Sequence, residues 1–127
     1  MSTREREKAA ARREAKKAAP AQATLNGFRM SPRKIRQVAD NLTGLSVAEA
    51  LSALAFSAKG ASVPLRKLIA SAIANAERKG GVDLDDLKVL RVQVDMGNTQ
   101  RRFMPRAMGR ATRIRKRSSH VTVFLGA

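Results

Sequence analysis

From residue 96 to residue 127 the chain contains no Asp or Glu, yet residues 97–117 alone carry eight cations, seven of them arginine. Such a run has too little apolar surface to build a core of its own, and its charges repel one another. Its flanks say how it is anchored. On one side Leu90, Val92, Val94 and Met96 alternate with Arg91, Gln93 and Asp95; on the other Val121, Val123 and Leu125 alternate with Thr122 and Phe124. A period of two marks half-buried strands, and the two are expected to pair antiparallel. A structureless loop longer than about 12–15 residues is uncommon in a compact domain. The intervening segment is therefore predicted to be a β-hairpin spanning about 97–118 with its bend near 105–109. Each arm extends about eleven residues past the core, so at about 3.3 Å per residue the ribbon projects roughly 35 Å.

A two-stranded ribbon is marginal in water by itself. This one also needs an anionic surface to offset its charge. Arginine suits that surface, because its planar fork binds phosphate through two bonds and stacks on bases. Arg101, Arg102, Arg106, Arg110, Arg113, Arg115, Lys116 and Arg117 are the candidate contacts, while Phe103, Met104 and Met108 offer apolar contact near the bend. Across the whole chain 26 Lys and Arg face 10 Asp and Glu, a formal net charge of +16 over 127 residues. A surplus of this size becomes favourable when a polyanion neutralises it and releases counterions, so nucleic acid is the leading partner class.

The rest of the chain reads as one small domain with an N-terminal extension, divided at about 1–21 and 22–127. Up to residue 19 the extension holds seven basic and three acidic residues among many alanines, with no large apolar residue after Met1. Nothing there offers a face to bury, and it is expected to be disordered or a fraying helix when alone. A short strand is predicted over 23–29, on Leu25 and Phe28. Ser31-Pro32 then opens a helix with Ser31 as N-cap and Pro32 at the first helical position. Ile35, Val38, Ala39 and Leu42 form its inner stripe, and Gly44 closes it. Ser46-Val47-Ala48-Glu49 is a capping-box pattern and starts a second helix with Val47, Ala50, Leu51 and Leu54 inward. A third helix carries Leu65, Leu68, Ile69, Ala72, Ile73 and Ala76 at helical spacing, with Ser62 as its cap and Gly80-Gly81 as its end. Aromatics make up only 3% of the chain, so this core must be built from Ala, Leu, Ile and Val. The fold class is α+β: three helices packed on a small antiparallel sheet from which a long basic hairpin protrudes.

A second basic cluster, Arg29, Arg33, Lys34 and Arg36, surrounds the start of the first helix and has no acid until Asp40. Free N–H groups and the helix dipole favour phosphate at such a position. Catalysis finds no support. His120, the sole histidine, lies beside a predicted strand and reads as a structural residue. Asp83, Asp85 and Asp86, interleaved with Leu84 and Leu87, read as a capped turn rather than a metal loop, which needs further ligands and a glycine at set spacing. No phosphate-binding glycine loop, nucleophile elbow or zinc spacing occurs. With no cysteine, disulfides and thiolate metal sites are excluded. No cofactor, metal or small-molecule substrate is expected. No apolar run is long enough to cross a bilayer and no secretory h-region opens the chain, which is read as cytoplasmic.

The order of elements, with Met30-Ser31-Pro32-Arg33-Lys34 and Ser71-Ala72-Ile73-Ala74-Asn75-Ala76-Glu77, resembles the large-subunit ribosomal protein twenty-two family of bacterial or organellar type. Met104-Pro105-Arg106-Ala107-Met108-Gly109-Arg110-Ala111 and Arg113-Ile114-Arg115-Lys116-Arg117-Ser118-Ser119-His120-Val121-Thr122 look like that family's hairpin and closing strand. The match spans about residues 23–127. The resemblance implies binding to 23S-type ribosomal RNA, a role in assembly of the large subunit and neighbouring ribosomal proteins as partners. It further implies that the hairpin runs along the wall of the nascent-peptide exit tunnel. Arg101, Arg102, Met104, Pro105, Arg106, Ala107, Met108, Gly109 and Arg110 would then sit near the constriction and meet the passing polypeptide. Met108 departs from a position where a basic residue is common.

From the residues alone two other readings stand beside this one. A DNA architectural protein with basic β-arms would share the hairpin, but usually rests on an aromatic dimer core that is missing here. A membrane-surface protein would need a strong apolar face on its basic tail, and residues 1–19 have none.

Overall fold

A computed structural model describes residues 6–8, of which all are helical, together with 20–80 and 83–127. The expectation of a basic extension over 1–21 falls almost wholly outside the described residues. Three strands, β1 (Ala21–Phe28), β2 (Lys88–Pro105) and β3 (Ala111–Gly126), form an antiparallel sheet in the order β1-β3-β2. Between β1 and β2 the chain forms helices α1 (Pro32–Ala39), α2 (Val47–Phe56) and α3 (Ser62–Lys79). This is the α+β arrangement that the periodicities predict.

The core lies between the helices and one sheet face. Strand β3 supplies Val121, Val123 and Leu125, each no more than 1% exposed, at the odd positions of its alternation. Against them pack Ile35, Val38, Ala39 and Leu42 after and along α1, Val47, Ala50 and Leu54 of α2, and Leu65, Leu68, Ile69, Ala72 and Ala76 of α3. Alanine at 23, 50, 72 and 76 lets backbones approach where an aromatic residue would hold them apart. The sheet edges are covered near the body. Residues of the α1–α2 connection bond to the outer edge of β2, with Gly44 N–H donating to Val89 C=O at 2.8 Å and Val89 N–H to Leu45 C=O at 2.9 Å. On the β1 edge, Asn75 Nδ2 donates to Gln22 C=O and Lys79 Nζ to Pro20 C=O. Unpaired strand edges invite foreign strands, and these contacts shield both.

Local chemistry accounts for the helix boundaries, with two corrections. Helix α1 ends at Ala39 rather than at Gly44; residues 40–43 form turns, and Gly44, at φ 87°, reverses the chain after them. Ser62 is not the cap of α3. The cap position is Ala61, while Ser62 N–H is bonded to Lys59 C=O and the Ser62 hydroxyl is buried within the helix without a partner. Ser31 holds the cap position of α1, but its side chain makes no capping bond; Pro32 alone removes one orphan donor. The capping box at Ser46 forms in full. Ser46 Oγ accepts from Glu49 N–H at 3.3 Å, and a Glu49 carboxylate oxygen accepts from Ser46 N–H at 3.1 Å and from Ser46 Oγ at 2.9 Å.

Strand β2 departs from the simple alternation. Val89 pairs with Leu125 and Arg91 with Phe124, so Leu90 is the extra residue of a bulge. The bulge turns Val89 inward to full burial and leaves Leu90 at 47% exposure, lying over Gly126 on the open face. Met96, expected inward, is 64% exposed, although Ser119 opposite it on β3 is fully buried. Val92 and Val94 keep the predicted inner face. A second irregularity follows, where Met96 pairs with Ser119 but the next pair is Thr99 with Arg117. Gly97 sits there against β3. A β-carbon on it would lie 2.8 Å from Ser118 Oγ and 3.1 Å from His120 Nε2.

Ser46→Ala should lower stability by about 1 kcal/mol, read from the urea midpoint near neutral pH. Its partner Glu49 is held below the ordinary carboxylate pKa by its bonds to the Ser46 backbone and side chain. A lowered folded-state pKa stabilises above the unfolded value and is lost as pH falls through the folded value. The midpoints of wild type and Glu49→Gln should therefore converge in acid, and a gap that widened there would contradict the assignment. Gly97→Ala must displace Ser118 or His120 and should cost about 1–3 kcal/mol by the same measurement.

Candidate nucleic-acid interface

The hairpin is built as an extension of the core rather than as an appendage. Strand β3 runs without interruption from the buried Leu125 out to Ala111, so the register set in the core is carried into the ribbon. Beyond the Gly97 joint the pairs run Thr99–Arg117, Gln100–Lys116, Arg101–Arg115, Arg102–Ile114, Phe103–Arg113, Met104–Thr112 and Pro105–Ala111. These residues make about 23 Å of paired ribbon at about 3.3 Å per residue. The joint and the tip turn account for the rest of the length predicted from sequence. At the tip Arg106 N–H donates to Arg110 C=O at 2.7 Å, and Met108 and Gly109 both take positive φ, 60° and 65°. Glycine adopts that conformation readily; Met108 is held there by the turn.

Residues paired across an antiparallel ribbon share a face, so the register sorts the candidate residues into two sets. One face carries Arg101, Arg113, Arg115 and Arg117, with Thr99 and Phe103. The other carries Arg102, Lys116, Gln100, Met104, Ile114 and Thr112. The first is a strip of arginines with Arg101 directly opposite Arg115, an arrangement that is unfavourable in an isolated ribbon. The second spaces two cations among uncharged side chains. Arg106 and Arg110 belong to the tip. Charge along the sequence groups all of these residues together; the bulge at the joint, which resets the phase of β2 against β3, is what divides them. Every residue from 100 to 113 is exposed, with Met108 at 95%. None of the eight cations of the ribbon makes a side-chain hydrogen bond or ion pair among the described residues.

The root of the ribbon meets the second basic cluster. Ser119, fully buried, donates its hydroxyl to Met30 C=O at 2.5 Å and so fixes the entry to α1 beside the joint. Arg29 Nη2 donates to Gln100 Oε1 at 3.0 Å, which places that guanidinium on the ribbon itself. Arg33 and Lys34 are exposed on the first turn of α1. Arg36 is turned back to the body, where Nη2 donates to Val94 C=O at 2.8 Å. That bond ties α1 to β2 and leaves less of Arg36 to an outside partner than its position in the sequence suggests. His120 has the structural setting expected of it: half-buried, its Nδ1 accepts from Gly27 N–H at 3.1 Å, bracing β1 against the joint. Asp83, Asp85 and Asp86 lie in an exposed turn that includes a short 3-10 helix, Leu84–Asp86, though Asp83 makes no capping bond. Sequence reasoning misses the open sheet face, where Arg91 lies 5.6 Å from the centre of the Phe124 ring and is linked through Gln93 to Asp95.

The fold and this surface define a class: a small α+β body whose central strand continues into a protruding, partnerless cationic ribbon. The family described as ribosomal protein L22p/L17e matches residues 23–126. The large ribosomal subunit protein uL22 of Anaeromyxobacter sp. (strain Fw109-5) is 54% identical over 112 residues, covering 87% of this chain and 78% of that relative. The chain belongs to the ribosomal protein L22p/L17e family.

The face division has a measurable consequence. Replacing Arg101, Arg113, Arg115 and Arg117 by Gln should sharply lower the salt needed for elution from immobilised heparin. It should leave the thermal midpoint of the free protein unchanged or raised, since the repulsion between Arg101 and Arg115 is relieved. Global unfolding by circular dichroism would instead make the ribbon part of the core.

Proposed function

We propose that this protein is a structural constituent of the large ribosomal subunit that binds 23S-type ribosomal RNA and supports subunit assembly. Its hairpin lines the nascent-peptide exit tunnel. Membership of the L22p/L17e family supports the ribosomal setting. The observation that carries RNA binding is the arginine face: four guanidinium groups on one side of a ribbon, without an acid or an internal partner, and two of them in direct opposition. A dense array of phosphates supplies the counter-charge that this arrangement lacks. Arg29, Arg33 and Lys34 extend the same track onto α1, with Arg36 contributing what its bond to Val94 leaves free. Lys116 and Arg102 contact RNA from the opposite face.

In this reading the tip, Arg106, Ala107, Met108, Gly109 and Arg110 with Pro105, stands nearest the tunnel lumen together with Arg101, Arg102 and Met104. The passing polypeptide meets a surface of small, apolar and dispersed cationic groups there. A sparse face of this kind has no geometry to grip one sequence. Neighbouring large-subunit proteins are the other partners, and the cytoplasmic ribosome is the proposed location. The role is non-catalytic and requires no cofactor, small-molecule substrate or membrane.

The test compares binding of the full chain to large-subunit ribosomal RNA and to duplex DNA over a salt series. Tighter binding to the RNA at every salt concentration, and co-sedimentation with large subunits through a high-salt gradient, are expected. Equal affinity and equal salt slope for any duplex would favour a DNA architectural role instead.

A further inference from the structure

Beside the ribbon's root, the first turns of α1 and the connection between α2 and α3 enclose an open cleft of about 370 Å³ lined by Met30, Lys34, Gln37, Lys59, Gly60 and Ala61. Its volume falls at the small end of the roughly 300–1,000 Å³ typical of ligand sites. The floor is apolar. Half-buried Met30 reaches across to Gly60, whose missing β-carbon would stand 3.5 Å from the Met30 methyl, and Ala61 closes the back. The rim is cationic and amidic. Lys34 and Gln37 lie one helical turn apart on α1, and Lys59 faces them from the connection. No carboxylate lines the cleft, and the three rim side chains make no hydrogen bond or ion pair among the described residues. The walls are fixed: Met30 C=O holds the Ser119 hydroxyl, and Lys59 C=O holds Ser62 N–H at 3.0 Å.

We propose that this cleft seats one unpaired nucleotide of the ribosomal RNA, an inference that rests on the RNA-binding reading above. The chemistry of the lining selects that occupant. An acidic side chain would satisfy the two ammonium groups and leave the floor empty; an apolar side chain would cover the floor and strand the ammonium groups. A splayed-out nucleotide brings both halves together. Its flat base lies against the polarisable thioether of Met30 and the bare backbone at Gly60, and its phosphates lie between Lys34 and Lys59. The Gln37 amide, donor and acceptor at once, faces the base edge. Position agrees with composition. Arg33 neighbours Lys34 on α1, and the Ser119–Met30 bond joins the cleft wall to the root of the ribbon, so a backbone tracking from the arginine face onto α1 crosses the cleft mouth.

The test measures binding of the full chain to large-subunit ribosomal RNA across salt. Gly60→Leu fills the floor without altering charge, and Gly60 lies outside the left-handed region, so the fold should persist by circular dichroism. It should weaken RNA binding about tenfold, the scale of a single mispaired base position, with the salt slope unchanged. Gln37→Glu, on an exposed position, should weaken binding as well. Lys34→Gln with Lys59→Gln should also reduce the slope by about 0.7–0.9 for each phosphate left without its ammonium partner. Wild-type affinity in both Gly60→Leu and Gln37→Glu overturns the proposal while leaving RNA binding intact. Wild-type RNA binding by Gly60→Leu, coupled with failure to enter subunits reconstituted with the other proteins, would show that a protein fills the cleft, and equally overturns it. If the wild-type chain itself shows no preference for the RNA over duplex DNA, the underlying reading fails first.

Discussion

Burial of one side of β3 is the constraint on which the rest of this structure depends. Ser119, Val121, Val123 and Leu125 are all at most 1% exposed, and they alternate with residues that face outward. A slip of one residue would turn the whole set to the opposite face, so the apolar core specifies the register strongly. The side chains of the ribbon do little to set its register, because exposed arginines pair about equally well in any phase; the tip turn closed by Arg106 N–H on Arg110 C=O fixes it at the far end. At the root the phase comes from the body along a continuous strand. The core and the irregularity at the joint therefore decide together, at a distance, that Arg101 opposes Arg115 and that Arg113 and Arg117 share their face.

The joint at Gly97 is where the two regimes meet. On the body side, pairing is enforced by burial; on the ribbon side, it is maintained by backbone bonds alone. Gly97 fits against Ser118 and His120 with no room for a side chain, Ser118 Oγ donates to Asn98 C=O, and His120 is bound in turn to Gly27. These contacts place β1, β2 and β3 in one polar knot just outside the last buried layer. The ribbon is thus braced at its base by short-range hydrogen bonds. Its outer part carries the electrostatic cost of the opposed arginines.

Much of this is legible in the sequence, for reasons that can be traced to particular residues. The helices announce themselves because Leu65, Leu68, Ile69, Ala72 and Ala76 must recur every three or four residues to share a face. β3 is equally clear from Val121, Val123 and Leu125. Ser46 and Glu49 satisfy each other over four consecutive residues, so nothing distant can alter that cap. Two of the failures, at Leu90 and Arg36, involve interactions that are long-range or depend on phase, and the one at Ser62 turns on local backbone geometry. Leu90 fits an alternating pattern on paper, but its exclusion from the core is set by the pairing of Val89 with Leu125. Ser62 looks like a cap, yet the chain around it is fixed by Lys59 and by packing at Ala61. Arg36 looks like a free cation, and its carbonyl partner lies far along the chain, on β2. The candidate site shows the same division: charge alone locates its residues, whereas their assignment to two faces requires the register.

That division bears on how charge and structure are apportioned in a basic ribbon. Concentrating arginine on one face creates a strong local field and, at Arg101 and Arg115, direct repulsion. Spreading the same cations evenly over both faces would ease the repulsion and weaken the field at any one surface. Retaining the asymmetric arrangement is costly in the free chain, and the cost is contained because the ribbon contributes nothing to the core that holds it. Met104, Ile114 and Thr112 on the opposite face lower the charge density there without adding a patch large enough to associate by itself. A ribbon built in this way has one densely and one sparsely cationic side, and that division follows from the four buried residues of β3 together with the irregularity of β2 at the joint.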